Sequence, residues 1–418
     1  MRYSVHYGKR DEVFDIPDSC RVNVIGSNPT RPVADMKAGV LAALAAPVGS
    51  PPFRQVFGRG DKVVIVVSDV TRLWVRSDVL VPILLDELNA VGIPDADVAV
   101  VFATGDHRSQ SAEEHRLIVG DEVLRRVKVY DHDCQAADLV DLGRSSRGTS
   151  ILLNRMVYEA PKLILTGGIS YHLLAGFGGG RKSVAPGVAG YATIQENHGL
   201  ALKAGPGAIG AGVMAGNPVA EDMDEICALA EPDFLLNVVV NENKDFIGIV
   251  AGHWREAHAA GTQVVEEAFA VPIREKADVV VASCGGYPKD IQLYQSIKAL
   301  DNADYAAREG GAIILVSECF DGPGPEAFLN WFRHATYAAM SAALHENFTM
   351  PGFVALRTKQ ILESKTVYLV SGLDAATAAR VGMKPAMSVA DALAAALPAA
   401  GGLVHIMPHG TLTFPQLE

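Results

Sequence analysis

Four absences narrow the reading before any motif is considered. There is no C-x-x-C pair and no disulfide framework; Cys20, Cys134, Cys227, Cys284 and Cys319 are scattered through 418 residues. This excludes a cysteine-built metal site, and the odd, wide spacing fits a reducing cytoplasm. No uninterrupted apolar run is long enough to span a membrane, and no apolar segment of the secretory kind follows Met1. The expectation is a cytoplasmic protein with no membrane partner. Positive charge is not in excess: 36 Lys and Arg stand against 48 Asp and Glu, a net charge of -12. A phosphate backbone needs a basic face, so nucleic acid is excluded as the main partner. Finally, no H-E-x-x-H occurs, and no G-x-G-x-x-G follows an early strand with an acidic residue about twenty positions on. An ordinary nicotinamide dehydrogenase is thereby set aside.

What is present is an α/β pattern. Lys62–Val67 is a near-continuous β-branched run, as in strands buried on both faces. It ends in Ser68-Asp69-Val70-Thr71-Arg72. Val98–Ala103 is the next strand and ends in Thr104-Gly105-Asp106-His107-Arg108. Ser111 and Glu114 form a capping box for a helix over 111–119. A further apolar run, Leu163–Thr166, leads into GGISYHLLAGFGGGRKSVAPGVAGYATIQENH, residues 167–198. A second series begins near Pro272, with strands at 278–283, 312–316, 367–370 and 403–407. Polar clusters at strand ends, with helices between, predict mostly parallel sheets. The expected division is an N-terminal domain over 1–272 and a Rossmann-like domain over 273–418.

Each polar cluster admits a chemical and a structural reading. Arg72 offers a planar fork that matches a carboxylate, with Asp69 holding it; otherwise the two form a salt bridge at a strand end. His107 suits general acid/base work, or it is a loop histidine bonded to Asp106. His172 is a second acid/base or a loop histidine bonded to nearby backbone. Lys182 is either bonded to a cofactor or a point charge for phosphate. His198 is a metal ligand or a helix-end histidine capping carbonyls. Gly178, Gly179 and Gly180 bring backbone N–H groups close to an anionic ligand. Residues 176–183, GFGGGRKS, miss a nucleotide-cradling loop because Arg181 replaces its second glycine, which sets aside a kinase or ATPase. Tyr294, Gln295 and Lys298 lie at helical spacing, either as ligand contacts or on a solvated face. His253 and His258 read as structural, and His115, His334 and His345 as exposed helix residues.

Taken in order, DVTR at 69–72, TGDHR at 104–108, YHLLAGFGGGRKSVAPG at 171–187, ENH at 196–198 and GGYPKDIQLYQSIK at 285–298 resemble the nickel-dependent lactate racemase family. The resemblance implies two α/β domains with the active site in the cleft between them. It implies a nickel-pincer nucleotide, a pyridinium-3-thioamide-5-thiocarboxylic acid mononucleotide carrying nickel, joined covalently to Lys182 and made by cofactor-synthesis enzymes. On this sequence His198 takes the place of the protein nickel ligand, and His107 and His172 of the two acid/bases. Arg72 and Lys298, with Gln295 and Tyr294 nearby, take the substrate contacts. The implied activity inverts C2 of a 2-hydroxy acid, either lactate-like or larger such as a sugar acid, through hydride transfer and a 2-keto acid. The alternative from another class is a non-catalytic binding protein for a nucleotide-like anion. Trp74-Val75-Arg76 departs from the family's smaller, proline-containing turn, and an aromatic that closes the pocket is expected within 348–357.

Overall fold

The computed structural model describes residues 1–205 and 207–418. By contact the chain forms two units, one from Thr30–Ala268 and one from Met1–Pro29 with Phe269–Glu418. Both are α/β with a six-stranded, mostly parallel sheet.

In the Thr30–Ala268 unit the strand order is Phe246–Gly252, Phe234–Val240, Lys162–Gly168, Val63–Ser68, Val98–Ala103, Lys128–Asp131. Only the first edge strand runs antiparallel. Val63–Val67 are all buried, as a strand covered on both faces requires. The chain leaves Val63–Ser68 toward one edge through Val98–Ala103 and Lys128–Asp131. It then returns to Lys162–Gly168 on the other side, pairing Val66 with Leu165. The strand order therefore reverses between Val63–Ser68 and Lys162–Gly168. Open α/β sheets bind ligands beyond the carboxyl ends of their strands at such a reversal. DVTR and the glycine-rich loop emerge from these two strands, and TGDHR from the next.

The other unit orders Lys384–Ala386, Thr366–Val370, Ala307–Val316, Ala277–Ser283, Leu403–Met407, Arg21–Val24, all parallel. Here the expected division at 272/273 is corrected. Residues 1–29 belong with the C-terminal part because Arg21–Val24 pairs in parallel with Leu403–Ile406. A four-residue strand of alternating polarity cannot announce a partner nearly four hundred positions away.

Local expectations hold where capping chemistry decides them. Ser111 Oγ accepts from Glu114 N, and Ser111 N donates to Glu114 Oε2, closing the capping box. The helix runs on to Arg126, past Gly120, whose φ of 79° is not helical. His115 and His334 are not exposed as expected. His115 stacks on Phe102 at 4.6 Å and its Nε2 lies 2.9 Å from Asp131 Oδ1. His334 is half-buried beside the Trp331 ring.

The stretch expected to supply a pocket-closing aromatic forms a helix, Met350–Ser364, and turns Arg357 inward. Arg357 Nε and Nη2 donate to Asp301 Oδ1 at 2.6 Å and Asp304 Oδ2 at 2.7 Å. Asp301 is buried, and burial pushes its carboxyl up while Arg357 opposes the shift. Removing one member of a buried ion pair leaves the other uncompensated. Arg357→Ala is expected to cost about 3–5 kcal/mol in urea unfolding, and a loss under about 1 kcal/mol would refute this role.

Candidate active site

Asp69 follows the last residue of Val63–Ser68 and is 2% exposed. A carboxylate so placed must be fully hydrogen-bonded. His107 Nδ1 lies 2.5 Å from its Oδ2. Thr71 Oγ1 and Arg72 Nη1 donate to its Oδ1 at 2.6 and 3.1 Å. His107 is therefore bonded to Asp69 and not to Asp106, because the tight turn His107 N to Thr104 O aims its ring back at the neighbouring strand. Burial alone would raise the Asp69 carboxyl. The bond from His107, the Arg72 charge and the Thr71 hydroxyl outweigh it and hold the carboxyl below its usual range. The same bond raises His107 above an ordinary imidazole, against the opposing effect of burial. With Nδ1 facing the carboxylate, the neutral ring carries its lone pair on Nε2.

His172 ends a two-residue strand that pairs with Gly176–Phe177. Its Nδ1 accepts from Leu174 N and Ala175 N, both at 3.1 Å. Lys182 sits in the single turn Gly180–Ser183, half-buried. Burial first, then the charges of Arg72 and Arg181, push its amine down to about 7. His198 is buried on the helix Tyr191–Gly199, and its Nδ1 lies 2.8 Å from the Ile194 carbonyl. That bond puts the proton on Nδ1 and the lone pair on Nε2. Burial and the charge of Lys182 push His198 down to about 3. Lys182 thus feels Arg72, and His198 feels Lys182.

Gly178 N donates to Ser170 O at 2.7 Å, and Gly180 N to Asn237 Oδ1 at 2.8 Å. These two amides are occupied inside the protein. Close packing also calls for glycine here. A Cβ on Gly179, whose φ is 71°, would lie 2.7 Å from Asn237 Oδ1. One on Gly180 would lie 2.5 Å from the His258 ring, whose Nε2 donates to Gly178 O.

Two supports were missed in the sequence. Asn237 is fully buried in Phe234–Val240, and its signal was an amide side chain inside FLLNVVV. Arg181 is 1% exposed, and its Nη2 donates to Ala175 O at 2.7 Å. Trp74, in the turn after DVTR, covers Gly168, where a Cβ would lie 2.3 Å from its ring. Arg76 pairs with Asp78 at 2.9 Å. Neither residue brings an unpaired charge to the carboxylate fork.

Tyr294, Gln295 and Lys298 stand in the other unit on the helix Leu293–Ala306, with Lys298 Nζ donating to Gln295 Oε1 at 3.0 Å. Among the described residues no three His, Cys, Asp or Glu side chains group to hold a metal. A metal at His198 therefore needs its other donors from a bound group.

Residues 7–208 match the lactate racemase N-terminal domain and residues 273–411 the lactate racemase C-terminal domain. A lactate racemase of Thermoanaerobacterium thermosaccharolyticum is 34% identical over 334 residues, 79% of this chain and 78% of that protein. The chain belongs to the lactate racemase family. A second lactate racemase, from Lactiplantibacillus plantarum, is 36% identical over 287 residues, covering 68% of this chain and 67% of that protein. The solved lactate racemase apoprotein of T. thermosaccharolyticum superposes with a TM-score of 0.92 at 29% identity, covering all of both chains. A Thermotoga maritima protein, at 18% identity and a TM-score of 0.65, covers 88% of this chain and 96% of its own and shares the fold alone. In this member of the lactate racemase family, the segment with Asn237 and His258 lies between the two matched regions.

The Asp69–His107 bond gives a direct test. In Asp69→Asn the largest cause raising His107 is gone while burial still lowers it. Its proton NMR titration midpoint is expected to fall. An unmoved midpoint would show that Asp69 does not control the ring.

Proposed function

We propose that this chain is a racemase or epimerase that inverts C2 of a 2-hydroxy acid with a nickel-pincer nucleotide held at Lys182 and His198. The observation that carries the reading is the Asp69 carboxylate. It is buried at the sheet reversal and orders His107 and Arg72 with one pair of oxygens. The donor set suits the nucleotide. Lys182 is held near neutrality and can form a covalent link, and His198 is a neutral imidazole whose tautomer is fixed. Such a group, when bound, supplies reversible acceptance of the C2 hydrogen as hydride.

The chain's residues do the rest. Arg72 receives the substrate carboxylate through its fork, and Lys298, Gln295 and Tyr294 are further substrate contacts. His107 Nε2 takes the hydroxyl proton, and Asp69 stabilises the imidazolium that results. His172 serves as the second histidine at the substrate oxygen. A lactate-like acid suits the fork, and a larger 2-hydroxy acid or sugar acid uses the same contacts at C1 and C2. A non-catalytic carrier of a nucleotide-like anion is less well supported. It needs the amides of Gly178 and Gly180, which already donate elsewhere, and it gives the buried carboxylate behind His107 no task.

His107→Ala and His172→Ala are each expected to slow loss of optical purity across a panel of 2-hydroxy acids by about 10²–10⁴-fold, with the fold retained. Full activity in either variant sinks the two-histidine reading. When the protein is made alongside cofactor-synthesis enzymes, intact-mass and metal analysis should give a mass increment on Lys182 with stoichiometric nickel. Lys182→Ala should lose the increment. An unmodified native chain under those conditions refutes the cofactor assignment.

A further inference from the structure

The two histidines assigned to proton transfer are held by opposite kinds of partner. Behind His107 stands a carboxylate, which accepts from Nδ1. Behind His172 stand two peptide N–H groups, which donate to Nδ1. A ring nitrogen that accepts two N–H bonds cannot itself carry a proton in that arrangement. The neutral ring then has its proton on Nε2.

One of these peptides is itself gripped from behind. The Leu174 carbonyl, which shares its peptide with the Ala175 N–H, accepts from Asn217 Nδ2 at 2.8 Å. That peptide thus accepts from Asn217 at one end and donates to the His172 ring at the other. Hydrogen bonds in series polarise one another. Asn217 is fully buried, and its Oδ1 accepts from Val219 N and Ala220 N, so the side chain is fixed at both ends. The Ala175 carbonyl belongs to the next peptide, and Arg181 Nη2 donates to it at 2.7 Å, holding the chain just beyond.

We infer that Asn217 is a positioning residue that locks His172, through the peptide joining Leu174 to Ala175, in the tautomer opposite to that of His107. Resting on the two-histidine reading, this gives the pair a division of labour. His107 presents a lone pair and His172 an N–H. A hydroxyl group, donor and acceptor at once, is matched by one of each, and a carbonyl oxygen accepts from the Nε2–H of His172.

The test uses the full chain without cofactor, labelled with ¹⁵N-histidine, at alkaline pH where both rings are neutral. Long-range ¹H–¹⁵N spectra, assigned with H107Q and H172Q, report which ring nitrogen carries the proton. The expected result is Nε2–H for His172 and Nδ1–H for His107. A proton on Nδ1 of His172, or an even mixture, overturns the inference. Asn217→Ser keeps an oxygen to cap the helix Pro218–Leu229 but is too short to reach Leu174 O. It should raise the Nδ1–H population of His172 several-fold. An unchanged tautomer in Asn217→Ser overturns the role of Asn217. Because the spectrum reads the tautomer whether or not the chain racemises anything, its failure is distinct from failure of the proposed activity.

Discussion

One buried carboxylate organises the carboxyl end of the N-terminal sheet. Asp69 lies just past a strand buried on both faces, where an unpaired charge could not persist. Its three donors come from two loops: Thr71 and Arg72 from its own turn, and His107 from the loop after the adjacent strand. Satisfying Asp69 therefore sets the positions of both the Arg72 guanidinium and the His107 ring. The linkage has a definite sign. Asp69 titrates lower when folded, so its share of stability is present above its unfolded pKa and lost as pH falls through the folded one. His107 titrates higher when folded, so its share is present below its unfolded pKa and lost as pH rises through the raised one. The pair is strongest between these limits.

The glycine-rich loop obeys a constraint of space. Asn237 and His258 reach it from elements that follow it in sequence, and they occupy the volume that side chains at 179 and 180 would need. Ser183 Oγ, donating to Thr166 O, ties the end of the loop back to the strand that launched it. The loop is thereby a rigid mount for Lys182, consistent with the precision a catalytic constellation demands.

Much of this was legible in the residues, and for identifiable reasons. Strand runs such as Val98–Ala103 are set by local pattern, and so are the clusters that follow them. The capping box at Ser111 and Glu114 is equally local. The illegible parts depend on contacts distant in sequence. Nothing in Arg21–Val24 says that it extends a sheet built after residue 277. Nothing in TGDHR says that His107 turns to Asp69 in place of its neighbour Asp106. The close packing of the glycine cluster was not legible, because the residues that fill its space, Asn237 and His258, lie some sixty to eighty positions on.

Charge supplies the last link. Burial disfavours the ammonium form of Lys182 most, and Arg72 and Arg181 are near enough for their guanidinium groups to disfavour it further. Lys182 in turn disfavours a charged His198. Asp69 and Asp224 partly offset this local cluster of cations in a chain that is acidic overall. A ligand bearing phosphate or carboxylate groups gains from entering such a field. Loss of the Lys182 proton does more, since it removes one of three like charges and leaves His198 facing a neutral neighbour. A neutral lysine beside a neutral imidazole is thus the arrangement that relieves the electrostatic conflict the fold creates.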